Sequence, residues 1–476
     1  MINLSIFKLK ENKTRVVTEI LAGITTFVTM AYIVVVNPQI IGGDNAELRT
    51  AVFVATCLSA FLGTLLTALL ANLPFAQASG MGLNAFFAYT VMGANGYSYA
   101  SALLIVFISG LLFILITAVG LREVIIKAIP KNMKVAISAG IGMFIAFIGL
   151  VNSGSGIVVN DDATLLALTD FSAITNTGDP AAMHSIFCAV VIVLGLIIIG
   201  MLHRFKVPGA ILIGIALSAC AYWFGGLYLN DTLAEVVRGN LPGNNIDWSS
   251  IGTQFGVWAR VGLAKCFTEG ISDLFGDGTF VQNLFTIVMV IVSFSMVDMF
   301  DTVGTLIGTA QKAKMLDENG NMPRMKSALM ADSIATSVGA VLGTSTVTTF
   351  VESSAGVSVG GRTGLTSLVT SIFFLLALFL SPFLGYIPCC ATAPALIFVG
   401  ILMITSVKDI DFDDITEAIP AFVTITFMPF TYSIANGIAF GLITHLLLKA
   451  FTLKFKDISI VEIILVALFI LKFVMG

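Results

Sequence analysis

A chain of 476 residues that is 57% hydrophobic and only 11% charged, with a mean hydropathy of +1.00, cannot cover itself against water, since a soluble domain carries roughly a quarter charged residues. A formal net charge of −4 offers no basic surface to nucleic acid, and six scattered cysteines without a CxxC pair argue for small packing residues, against a metal site or a disulfide framework. The partner these figures leave is the lipid bilayer.

In chain order, apolar runs near the ~20 residues needed to cross ~30 Å of hydrocarbon predict spans at about 17–37, 50–71, 80–92, 100–120, 133–151, 183–201 and 208–226, the third too short for a full crossing. Met1–Thr14 carries Lys8, Lys10 and Lys13 ahead of a run already of span length, so no cleavable signal is expected. A polar connecting segment over 227–282, rich in Gly, Asn, Asp and Trp, is expected outside the membrane. Further spans follow at about 283–309, 326–343, 351–360, 363–381, 390–406, 415–431 and 433–451, and 459–475 reads as a terminal crossing or an interfacial helix.

Lysine and arginine placement orients the chain. The basic N-terminus, the 122–134 loop (Arg122, Lys127, Lys131, Lys134), His203–Lys206 and the 311–326 loop (Lys312, Lys314, Arg324, Lys326) are expected in the cytoplasm. Segment 152–182, with Asp161, Asp162, Asp170 and Asp179 but no Lys or Arg, is expected outside. Seven spans before the connecting segment start the second set from the opposite face, so 1–226 and 283–476 are read as inverted repeats. Each has one short third span entered through a polar, glycine-bearing stretch, Ala78–Asn84 and Gly343–Gly356. Paired interrupted segments of this kind point to the binding site of a secondary transporter. The expected fold is all-α and polytopic, about fourteen spans as a seven-plus-seven inverted repeat, with the broken third spans carrying a short β-strand.

Chemistry concentrates at those breaks and in one helix. Asp298 and Asp301 lie one turn apart on the same face of a membrane helix, where a carboxylate must face a cavity, pair, or take a proton. A structural pair hydrogen-bonded to Thr302, Thr305 or backbone is the alternative. Thr344–Phe350, including Thr349, alternates as a short extended strand does, and Glu352 follows in the first turn of a half-helix running to about Gly360. Glu352 either meets a ligand or merely caps that helix. In the first half, Gly80 and Gly82 permit close backbone approach, while Asn84 either binds a ligand or satisfies backbone freed by the break. Phe86, Phe87, Phe300 and Phe350 offer faces to a flat heteroaromatic ring, though each alone is more often a packing residue. His184, His203 and His445 read as isolated structural residues, Asp332 as a pairing or path-lining acid, and Arg362 as a cytoplasmic orientation signal. Two carboxylates, an amide, threonine hydroxyls and open amides suit a purine base, which donates and accepts hydrogen bonds in one plane. Protonation of one carboxylate would supply coupling, with sodium left open. No Walker loop, HExxH, nucleophile elbow or haem-ligand pattern occurs, so neither ATP-driven transport nor catalysis is expected.

The segments SGMGLNAFFAYTVM, VDMFDTVGTLIG, GTSTVTTFVESSAGVSVGGRTGLT and FTYSIANGIAFG, spread from Ser79 to Gly441, resemble the adenine/guanine/hypoxanthine permeases, the azaguanine-resistance branch of the nucleobase/ascorbate transporter superfamily. The resemblance implies a core domain (about 17–121 and 283–385) that moves against a gate domain (about 132–226 and 390–452), with substrate between the two broken spans. It implies binding by Asn84, Asp298 and Glu352, with Gly82, Thr349 and Phe350 beside them, and proton coupling through Asp298, Asp301 and Glu352. Ser79 departs from the family's usual proline before the glycine. The expected protein is a multi-pass inner-membrane importer of a purine base with a cytoplasmic N-terminus and no cofactor beyond the coupling ion, a homodimer being left open. A xanthine/urate or pyrimidine permease, or an anion transporter of similar fold, is the alternative.

Overall fold

Apolar runs become helices because an α-helix satisfies every backbone N–H and C=O inside its own segment, which hydrocarbon demands. The computed structural model describes residues 4–120, 130–151, 156–161, 165–172, 179–228, 231–241, 248–274, 280–313, 315 and 322–475. Arg122, Lys127, Asp162 and Lys314, used above for orientation, lie outside the described residues, as do the side chains of Lys131, Phe300 and Lys312.

The first half runs α1 (Val16–Met30), α2 (Ile33–Gly42), α3 (Ala46–Leu66), β1 (Gln77–Ser79), α4 (Met81–Ala85), α5 (Tyr99–Val119) and α6 (Lys131–Val151). A small hairpin of β2 (Val158–Asp161) and β3 (Leu165–Leu168) precedes α7 (Pro180–Arg204) and α8 (Ala210–Tyr228). The connecting segment, expected only as polar chain, folds into α9 (Asp231–Gly239), α10 (Ser250–Val261), α11 (Lys265–Thr268) and α12 (Gly270–Leu274). The second half comprises α13 (Phe280–Lys312), α14 (Met325–Leu342), β4 (Val347–Thr349), α15 (Ser353–Val359), α16 (Gly364–Leu376), α17 (Cys389–Ile404), α18 (Ile415–Phe430), α19 (Ile434–Phe451) and α20 (Ile460–Met475). Among the described residues, ten helices are long and apolar enough to cross a membrane. The chain is a mostly helical, multi-pass membrane protein.

Packing sorts these helices into two groups. In one, α1 lies on α15 and α16, α3 on α14 and α16, and α5 on α14 and α13; in the other, α6 lies on α17 and α18, α18 on α19, and α7 on α8 and α17. Small residues let the second group approach closely: a Cβ added to Gly400 of α17 would stand 2.4 Å from the Gly142 carbonyl oxygen of α6.

Two features close the ends of this assembly. The last carbonyls of α14 lack partners within their own helix, and outside elements supply them. Trp258 Nε1 donates to the Leu342 carbonyl at 2.7 Å, the Ala264 amide to Val341 at 2.8 Å, and the Tyr99 hydroxyl to Gly343 at 2.5 Å. At the C-terminus, α20 is tied to α19, and α19 to α18, through buried ionisable pairs. His445 Nδ1 lies 2.6 Å from Glu462, and Lys449 lies 2.6 Å from Glu417. His445, read from the sequence as isolated, is thus an internal ion-pair member. His184 likewise meets the Tyr222 hydroxyl at 2.9 Å.

Candidate functional site

The two broken third spans meet at their strands. β1 pairs antiparallel with β4 in the register Gln77↔Thr349, Ala78↔Thr348, Ser79↔Val347. The pairing is extended by the Gly80 amide donating to Thr346 (3.1 Å) and the Phe350 amide to Ala76 (3.0 Å). Three residues make too little strand to stand alone, so the preceding span braces each one. The Thr64 hydroxyl of α3 donates to the Gln77 carbonyl at 2.9 Å, and the Thr336 hydroxyl of α14 donates to Val347 at 3.1 Å. The same threonine device serves both halves.

Each strand then opens a half-helix. In the first half α4 follows Gly80 and passes into a π-helical stretch, Phe86–Ala94. A Cβ at Gly80 would stand 2.7 Å from Thr348 Oγ1 and one at Gly82 2.5 Å from Ile141 Cγ2. The expected close approach is therefore to the partner strand and to α6. In the second half α15 ends at Gly360, whose φ of +116° glycine adopts without strain. Arg362, read earlier as an orientation signal, donates from Nη1 to the Val357 and Gly361 carbonyls at 2.8 and 2.6 Å and so closes that end. Beyond it Glu19 of α1, fully buried, accepts from the Arg362 and Thr363 amides and from the Thr363 and Thr366 hydroxyls at 2.6–3.2 Å. That carboxylate satisfies the N-terminus of α16.

Between the two helix groups lies a cavity of about 490 Å³, inside the roughly 300–1,000 Å³ range of small-molecule sites. Gly82, Asp301, Thr349, Phe350 and Glu352 line it, with Gly80, Met81 and Thr348 beside them. From the other group come Ser138, Ile145, Val399 and Met403. Its rim includes the exposed His203 and Thr405, so His203, read as structural, stands at the mouth.

The other sequence-predicted residues sit behind this wall. Asn84 is fully buried; its Oδ1 accepts from the Ser345 hydroxyl and its Nδ2 donates to the Ser79 carbonyl at 3.3 Å. Asp298 is fully buried one turn from Asp301. Thr302, proposed above as a partner of the paired aspartates, donates instead to Asp332 at 2.9 Å. Phe86 packs edge-on against Phe294 and Phe87 against Tyr99, so of the described aromatics named above only Phe350 reaches the cavity. Glu352 makes no capping bond to α15. Its Oε1 accepts from the Tyr32 hydroxyl at 2.6 Å. Tyr32 escaped the sequence reading because a lone tyrosine in an apolar run has no pattern; the interruption of the first span at Ala31–Tyr32 is visible only in the fold.

A cavity that presents two carboxylates, threonine hydroxyls and one phenyl face can hold a small planar molecule that donates hydrogen bonds. Comparison with known proteins bears on which. Residues 17–440 match the Xan_ur_permease family, described as a permease family. The adenine permease AdeQ of Escherichia coli (strain K12) is 39% identical over 470 residues, covering 99% of this chain and 96% of its own. The guanine/hypoxanthine permease PbuO of Bacillus subtilis (strain 168) is 40% identical, covering 98% and 99%. Among solved structures, the transmembrane domain of the cyanobacterial bicarbonate transporter BicA shares the fold at a TM-score of 0.57 and 14% identity, over 90% of this chain and 95% of that one.

Proposed function

The chain belongs to the Xan_ur_permease family and is a transporter rather than an enzyme; from that premise we propose that it imports a purine nucleobase (adenine, guanine or hypoxanthine) by proton symport with alternating access. The observation that carries the substrate class is Glu352 facing the cavity together with Asp301, Thr349 and Phe350. The purine's ring N–H groups donate to the carboxylates, its acceptors take the threonine hydroxyls, and Phe350 lies against its face. Gly82 lets the first broken span lie close against α6 at the opposite wall. Asn84 and Asp298 belong to the proposed set from one layer deeper. Asn84 holds the turn between β1 and α4, and Asp298 shares the coupled proton with Asp301 and Glu352. Neither a cofactor nor a metal is part of this scheme.

The architecture supports a two-domain motion. In this proposal the ten long helices, Met325–Leu342, Ile415–Phe430 and the two broken spans are the fourteen crossings of two inverted sets of seven, with α20 additional. The group containing α1, α3, α5, α13, α14 and α16 is the core, and the group containing α6–α8 and α17–α19 the gate. At one end the two are latched. Gln39 donates to the Ile387 carbonyl at 2.9 Å and accepts from Thr392 at 2.5 Å, while Thr90 donates to the Tyr432 carbonyl at 2.7 Å. The cavity rim lies at the opposite end, beside His203, Arg204 and Lys206, where basic residues mark the cytoplasm. On this reading the protein is in an inward-facing state in the inner membrane, with a cytoplasmic N-terminus.

Uptake of radiolabelled bases in a purine-transport-deficient strain tests this, with competitor bases and with or without a protonophore. Saturable uptake displaced by purines and collapsed by the protonophore is expected. Uptake indifferent to purine competitors would overturn the substrate, and uptake that depends only on sodium would overturn the coupling.

A further inference from the structure

Tyr32 has no part in the scheme above, yet it is the residue that reaches Glu352. It sits at the interruption between α1 and α2 and is fully buried. Its ring lines the cavity and its hydroxyl donates to Glu352 Oε1 at 2.6 Å, across 320 residues of chain. We propose that Tyr32 is the positioning residue that fixes the orientation and protonation of Glu352, so that binding of the base and of the coupled proton occurs at one oriented carboxylate. This deepens the purine-symport reading and rests on it.

Three observations carry the assignment. First, the Glu352 side chain is turned to the cavity and not used to cap α15, and there it meets a donor on a rigid two-torsion arm. Second, the arm is itself held. Glycine at 356 lets α15 lie against α1, where an added Cβ would stand 2.0 Å from Thr26 Oγ1 and 2.5 Å from the Ala22 carbonyl. Tyr32 and Glu352 therefore keep their spacing when the core moves as a unit. Third, a phenol both donates and accepts. It can donate to ionised Glu352 and accept from the protonated acid, serving both states of a transport cycle without rearrangement.

The ionisable surroundings set the direction of the effect. Asp301 from α13 and His203 from α7 line the same cavity as Glu352. Asp298 of α13 and Asp332 of α14 are buried behind it, Glu19 of α1 is engaged with α16, and Arg362 closes the far end of α15. Facing Asp301, an ionised Glu352 meets like charge, which the Tyr32 hydroxyl offsets. Removing the phenol takes away a donor to the charged form of that carboxylate.

The test is uptake of whichever of radiolabelled adenine, guanine and hypoxanthine the wild type carries best, measured across pH 5–8. Tyr32→Phe removes one oxygen. It should raise KM about five- to tenfold and move the pH profile upward by about one unit, the size expected for one hydrogen bond to a charged group. Site-specific 3-fluorotyrosine at position 32 keeps the ring and strengthens the donor, and should move the profile downward. It also decides the matter if Tyr32→Phe fails to reach the membrane. A purely structural tyrosine would leave the profile in place, so an unmoved profile and KM with an active wild type overturn this inference alone. A wild type that carries none of the three bases overturns the purine reading, and the inference with it.

Discussion

The two broken spans share a plan and differ in what they show to the cavity. Each is a three-residue strand, braced by a threonine from the span before it and followed by a short helix. In the first, the polar side chains turn inward: Asn84 is spent on Ser345 and Ser79, Phe86 on Phe294, and the cavity receives mainly glycine backbone. In the second, Thr348, Thr349, Phe350 and Glu352 all line the cavity. One break is a smooth wall that must fit closely against α6; the other presents the chemistry. Repeats that match in backbone can thus divide the labour, and the division makes their failures separable.

The largest effect is expected at the chemical break. Glu352→Gln keeps the shape and an acceptor for Tyr32 but loses the charge, and should lower uptake about 100-fold with normal membrane expression; near wild-type transport would dissolve the contrast. Next comes the frame of that same break. Glu19→Ala leaves several buried donors without an acceptor and should destabilise the protein by about 3 kcal/mol, read as a fall in the thermal midpoint of the detergent-purified protein. At the smooth wall the expected failure is steric. Gly82→Ala should cut transport roughly tenfold by overpacking against Ile141, and Ile141→Ala in the same chain should restore much of it. If the double variant is no better, Gly82 is needed for something other than fit. The smallest effect belongs to Asn84→Ala, expected to cost about 1–2 kcal/mol of stability through the orphaned Ser345 hydroxyl with only a few-fold change in KM. A large rise in KM at unchanged stability would move Asn84 into direct contact with substrate and erase the asymmetry.

Much of this was legible in the chain, for reasons of scale. Long apolar runs announce themselves, so the observed helices begin and end within a few residues of the expected spans, and glycine with polar residues in a short third run marked both breaks. What escaped were relations between distant residues. Nothing local in Gln77–Ser79 names Val347–Thr349 as its partner, since three residues carry no register. Tyr32 and Glu352, Thr302 and Asp332, and His445 and Glu462 are joined only by the fold. The helices of the connecting segment were hidden for the opposite reason: lying outside the long apolar runs, they lack the hydropathy that betrays a span.

The pairing of β1 with β4 also bears on how the protein can be made. While the first half leaves the ribosome, the amide of Gly80 and the carbonyl of Ala76 have no strand to meet, because residues 346–350 are not yet synthesised. Unpaired backbone groups cost several kcal/mol each in hydrocarbon. The first broken span must therefore wait in a wet or proteinaceous setting, at the insertion machinery or in the interface, until the second arrives. The unbroken helices face no such delay, since their backbone is satisfied within each segment. The first broken span cannot be completed before residues 346–350 are made, and a nascent chain arrested before residue 346 should expose that segment to protease that the finished transporter excludes.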